Sequence, residues 1–126
     1  MERRTDDSAA GAGPFLEVRL SQLRAAVPLL QVDGHLAPAT AAELFEILDG
    51  TLAQHPWGVL DLSALSALHD GVVPDLVGIA RRAGDADIGL YLVVADGIVA
   101  PTLHDAGVLE LFELHPDVHS ALRAMS

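Results

Sequence analysis

The chain has 126 residues and a formal net charge of −11; its seven strong bases are all arginine, and it has neither lysine nor cysteine. That acidity repels phosphate backbones and argues against nucleic acid as a partner. The lack of thiols excludes disulfides and thiolate chemistry and suits a reducing, cytoplasmic compartment. Hydrophobic residues make up 51%, yet no uninterrupted apolar run reaches the ~20 residues that a membrane span needs. The length fits one domain with one core.

Met1 to Pro14 is rich in Gly, Ala, Ser and charge without a period, and reads as a disordered tail. Arg3-Arg4 is followed by Asp6-Asp7 and no apolar stretch, so it does not read as a signal peptide. Phe15 to Leu20 alternates, with Leu16, Val18 and Leu20 on one face and Glu17 and Arg19 on the other, which predicts a half-buried strand. Leu29 to Val32 predicts a second strand, with Pro28 at its start or on an edge. The two are close enough in sequence to pair as a hairpin that ends at Asp33-Gly34-His35. From Pro38 the period becomes helical, through Ala41, Leu44, Phe45, Leu48 and Leu52.

Val59 to Leu62, bounded by Pro56-Trp57-Gly58 and Ser63, reads as a buried central strand. Ser63 to Gly71 then reads as a loop, and Leu76, Ile79, Ala80 and Ala83 mark one face of a second helix that Gly84 ends. Ile88 to Val94 is a further strand, broken by Asp96-Gly97. Ile98 to Ala106 is a short helix, Leu111 to Leu114 a short strand, and Pro116 opens a last helix with Val118, Ala121, Leu122 and Met125 on one face. The order implies an α/β fold. An N-terminal antiparallel hairpin is followed by parallel strands in a mixed four- to five-stranded sheet with about four helices. In such sheets the carboxyl ends of the strands carry the ligand and partner sites.

Three pieces resemble the STAS domain, named for sulfate transporters and anti-sigma-factor antagonists. Gly34-His35-Leu36 with Ala39-Thr40-Ala41 is similar to the family's G-x-L-x-x-A-T-A approach to its first helix. Val59-Leu60-Asp61-Leu62-Ser63 is similar to its V-L-D-L-S strand, and Ala106-Gly107-Val108 with Leu111-Phe112 to its T-G-L-x-x-L-F. The resemblance covers residues 15–126 and implies a non-catalytic, protein-binding regulator without a cofactor. In a bacterial partner-switching system, such an antagonist captures an anti-sigma factor, a serine kinase-like protein, and so regulates transcription. The family's switch reads D-S-S-G or D-T-S-G, and its second hydroxyl residue is phosphorylated. Aligned without gaps from Leu60, His69 stands for the Asp, Asp70 for the first Ser, Gly71 for the phosphoacceptor and Val72 for the Gly. No acceptor oxygen stands at Gly71, and Asp70 imitates a phosphate poorly, with one charge where a phosphate carries nearly two.

The partner surface implied comprises the loops Asp33–His35, Ser66–Val73 and Asp96–Val99. Its residues are Asp33, His35, Ser66, His69, Asp70, Gly71, Val72, Asp96 and Gly97. A STAS subunit that docks on a transporter's ATPase is a second reading, and the sequence leaves a homodimer open. A third reading, from another class, places His35, His69 and His104 with Asp33, Asp70 and Asp96 on one sheet edge as a metal-dependent enzyme. These histidines lack a local ligand spacing such as H-x-x-x-H on a helix, so no metal site is assigned. Asp61 is expected to accept backbone N–H groups from the following loop, and Trp57 to pack.

Overall fold

Two antiparallel strands open the fold, as the alternation predicts, but both run longer than their apolar stretches. The computed structural model describes residues 16–24, 27–95 and 97–125. Strand β1 (Leu16–Arg24) pairs antiparallel with β2 (Val27–Leu36). Strands β3 (Trp57–Leu68), β4 (Gly89–Val93) and β5 (Glu113–His115) then add in parallel, in the order β1-β2-β3-β4-β5. Helices α1 (Pro38–Leu52), α2 (Val73–Asp85), α3 (Val99–Asp105) and α4 (Val118–Ala124) make the connections, with 3-10 turns at Asp70–Val72 and Leu109–Leu111. This is the mixed five-stranded sheet with four helices that the order of elements implies. The tail read over Met1 to Pro14, Phe15 at the head of the first strand, and Asp96 lie outside the described residues.

Two predicted boundaries are corrected. Asp33-Gly34-His35 does not end the second strand, and Ser63 to Leu68 is not loop: β2 continues to Leu36, β3 to Leu68, and the two pair along this extra length. Gln31 lies opposite Asp61 but Asp33 opposite Ala64, and Gly34 lies opposite Leu65 but His35 opposite Ala67. Each step places one more residue on β3 than on β2, so β3 bulges twice. That is why Leu62, Leu65 and Leu68 are all buried at a spacing of three: a period of two plus one bulged residue. Gly34, with φ at 104°, supplies the left-handed backbone beside the second bulge.

Alternation splits the core into two layers. Leu30, Val32 and Leu36 of β2, Leu60 and Leu62 of β3 and Leu92 of β4 face α1, α2 and α3 through Leu44, Leu48, Leu76, Ile79, Val99 and Leu103. Across the sheet, Val27, Leu29, Val59, Tyr91 and Val93 meet Ala121 of α4 and Met125 just past its end, with Trp57 packed alongside Tyr91. Burial, and then the Glu113 carboxylate, push the Tyr91 phenol upward. Among the described residues no charged side chain is buried. Outside the core, Arg82 of α2 reaches both carboxylate oxygens of Asp49 of α1 at 3.2 Å, an exposed pair that adds little to stability.

The fold makes two testable statements. Leu60 is 0% exposed, so Leu60→Ala costs about 3 kcal/mol through lost transfer energy and a cavity, measurable by urea unfolding. Asp117 caps α4 by accepting the Ser120 N–H at 2.8 Å, and this backbone hydrogen bond holds its carboxyl below the ordinary range. A carboxyl depressed on folding adds stability above its unfolded pKa and loses it as pH falls through the folded one. Asp117→Ala therefore lowers the melting temperature at about pH 7, and the gap to the parent narrows at about pH 3.

Candidate functional site

The double bulge gives the molecule its uneven top. β4 leaves the sheet at Val93, opposite Asp61, while β3 runs on to Leu68 with, among the described residues, β2 as its one neighbouring strand. Side chains tie this extension together. The Ser66 hydroxyl donates to the Gly34 carbonyl at 3.1 Å across the strands. The Thr40 hydroxyl donates to the His35 carbonyl at 2.7 Å and accepts from the Ala37 N–H at 3.0 Å. Thr40 thereby fastens the end of β2 to the first turn of α1, where Ala37 has no side-chain oxygen to cap the helix. Lower on β3, Asp61 accepts the Ser63 N–H at 2.9 Å, a backbone role as expected but within the strand and not from a following loop, and the Ser63 hydroxyl accepts the Ala95 N–H at 3.2 Å.

Above the extension sits the turn His69–Val72. The His69 N–H donates to the Leu36 carbonyl at 2.9 Å, which closes the end of the β2–β3 ladder. His69 Nδ1 accepts the Gly71 N–H at 2.9 Å, so the imidazole caps the 3-10 turn that feeds α2. Accepting at Nδ1 requires the ring to be neutral with its proton on Nε2. A Cβ added at Gly71 would lie 3.1 Å from His69 Nδ1 and 3.8 Å from Pro38 Cγ, so Gly71 also seats the turn against α1. This use of His69 is not evident from the sequence, where the ring stands in the place of an Asp. A polar acceptor two residues before a glycine, just ahead of a Pro-led helix, was the available sign.

The structure thus brings His35, Ser66, His69, Asp70 and Gly71 together at one end of β2 and β3, all but Gly71 with exposed polar side chains. Asp33 lies just below them, 3.5 Å from Arg19 on β1. Val72 is corrected as a surface residue: it is 0% exposed and anchors the turn from beneath. Gly97 comes four residues after the last pair of β4 with β3, Val93 opposite Asp61, and its neighbour Asp96 is not described. His104 is also corrected. It lies in the last turn of α3, near Asp105, and does not follow a strand end. Among the described residues, no three of His, Cys, Asp and Glu converge as metal ligands. Beside Asp70 a groove of about 440 Å³ runs between α2 and the segment after α3, lined by Val73, Pro74, Val77, Arg81, Ala106 and Val108.

Removing the Thr40 latch is the local test. Thr40→Val keeps the shape and loses both hydrogen bonds, which costs about 1 kcal/mol. Amide exchange at Ala37, Thr40 and Ala41 rises, while that in β4 is unchanged.

No curated protein matches the chain, and no described helix is long and apolar enough to cross a membrane. Solved structures do match. An anti-sigma factor antagonist from Mycobacterium paratuberculosis superposes with a TM-score of 0.78 at 23% identity, over 87% of this chain and 93% of that one. The anti-sigma factor antagonist SpoIIAA in its unphosphorylated form gives 0.70 at 12% identity, over 86% and 96%. The Bacillus cell fate determinant SpoIIAA in its phosphorylated form gives 0.62 at 11%, over 87% and 100%. At these identities the likeness is one of fold. The family model for the STAS domain matches residues 21–121, and with the sheet order, the helices and the strand motifs in agreement, the chain belongs to the STAS domain family.

Proposed function

We propose that this chain is a non-catalytic regulator of the anti-sigma-factor-antagonist kind, working in a bacterial cytoplasmic partner-switching system. It binds an anti-sigma factor, a serine kinase-like protein, and it does so without a phosphorylation switch at Gly71. The observation that supports this reading is the turn His69-Asp70-Gly71 itself. It is exposed at the start of α2, it aligns with the family's switch, and it carries no hydroxyl. His35 and Ser66 flank it, and the groove along Val73, Pro74 and Val77 gives a partner apolar footing next to the acidic Asp70. A chain of net charge −11 steers towards a basic surface. Asp33 and Gly97 belong to the margin of this proposed surface, and Val72 supports it from below.

Incubation with ATP and a panel of anti-sigma kinases, followed by mass spectrometry, tests the missing switch. The expected result is no phosphate in the Ser66–Val73 peptide of the parent, and phosphate in that peptide for Gly71→Ser. The added Cβ needs only a small shift of the exposed His69 ring. Phosphate on the parent's Ser66 would overturn the reading. Affinity capture from the native host tests the partner: Asp70→Arg should weaken retention of a histidine-kinase-like ATPase fold. Retention of an ABC ATPase in its place would favour a subunit that docks on a transporter.

A further inference from the structure

Among the described residues β1 has β2 on one side and no strand on the other. An unpaired edge normally carries devices that keep other strands off it. Here the charges on the edge are arranged to match a copy of themselves. The strand reads Leu16-Glu17-Val18-Arg19-Leu20, which is symmetric about Val18 except that an acid on one side answers a base on the other. Glu17 is exposed, and the Arg19 side chain is 57% exposed, with one long contact of 3.5 Å to Asp33. Leu20 is 57% exposed, the most exposed large apolar side chain among the described residues.

We propose that β1 is the interface of a homodimer in which two copies pair their edge strands antiparallel about a two-fold axis at Val18. In that pairing Val18 meets its own copy, Leu16 lies opposite Leu20 of the second copy, and Glu17 lies opposite its Arg19. The two-fold repeats each pair, as an isologous contact must. Opposite charges directly across an antiparallel ladder attract, and like charges there repel. A slip of one residue loses both ion pairs and turns side chains to the wrong face, so a single register is favoured. The apolar side chains have a place to go. Beside Leu20 lies an open groove of about 550 Å³ against α1, bordered by Pro28, Ile47, Gly50 and His55, and in the joined sheet Leu16 of the second copy, half-buried against its own core, would border it on the same face. Two chains of charge −11 otherwise repel, and a short strand interface is small, so the association is weak and concentration-dependent. The inference does not depend on the proposed function, because the edge lies across β2 from the extension that carries His69.

Sedimentation equilibrium over a range of concentrations tests it. The parent is expected to show a reversible monomer–dimer equilibrium. Glu17→Arg and Arg19→Glu each replace two attractive cross-strand pairs by repulsive ones, and each weakens the dimer about tenfold. The double exchange, Glu17→Arg with Arg19→Glu, restores the attraction and brings the dissociation constant back towards that of the parent. Circular dichroism verifies that each variant keeps its fold. A parent that stays monomeric at every concentration overturns the proposal. So does a dimer that the single reversals leave unchanged, since it would then form through another face.

Discussion

The parallel pairing of β2 with β3 is the constraint on which the rest of this molecule depends. It extends from Leu29 opposite Val59 to Leu36 opposite Leu68, well past the point at which β4 departs. Backbone groups at the far end of a lone strand would have to be satisfied by water or side chains; β2 satisfies one side of them. The two bulges that keep Leu62, Leu65 and Leu68 pointing inward also set the height at which β3 gives way to α2. Through the His69 N–H and the Leu36 carbonyl, the end of the ladder is also the foundation of the turn.

The candidate site follows from this foundation. Its parts are held by backbone and short polar side chains: Ser66 across the strands, Thr40 from the helix, His69 on its own turn. Among the described residues none of them belongs to a metal-like cluster. A rim of exposed polar groups next to an apolar groove is suited to meeting a surface, which is the physical ground of the proposed binding role.

Much of the fold is legible in the amino-acid order, and the failures are instructive. The helices follow from a period of 3.6 with Pro at the first turn, and α1 and α2 bury the expected Leu44, Leu48, Leu76 and Ile79. The strands β1 and β4 follow from apolar alternation and an apolar run. The far half of β3 does not, because Ser63-Ala64-Leu65-Ser66-Ala67-Leu68 lacks β-branched residues and the bulges replace the period of two by a spacing of three. Long-range pairing with β2 decides that segment, and no local pattern records it. At the site, the positions of His69, Asp70 and Gly71 at the start of α2 could be read. The cap made by His69 left only a weak local sign, and the burial of Val72 left none, since it depends on the core that closes beneath the turn.

The two layers of the core are of unequal depth. Among the described residues three helices bury one face of the sheet, and the opposite face rests on α4, seven residues long and held through Ala121, the adjoining Met125 and the Asp117 cap. A layer that thin can detach while the larger one stays closed, because the two share only the sheet between them. In hydrogen exchange, the α4 amides would therefore lose protection by a sub-global opening, ahead of the central strands, whose exchange waits for the whole domain to unfold.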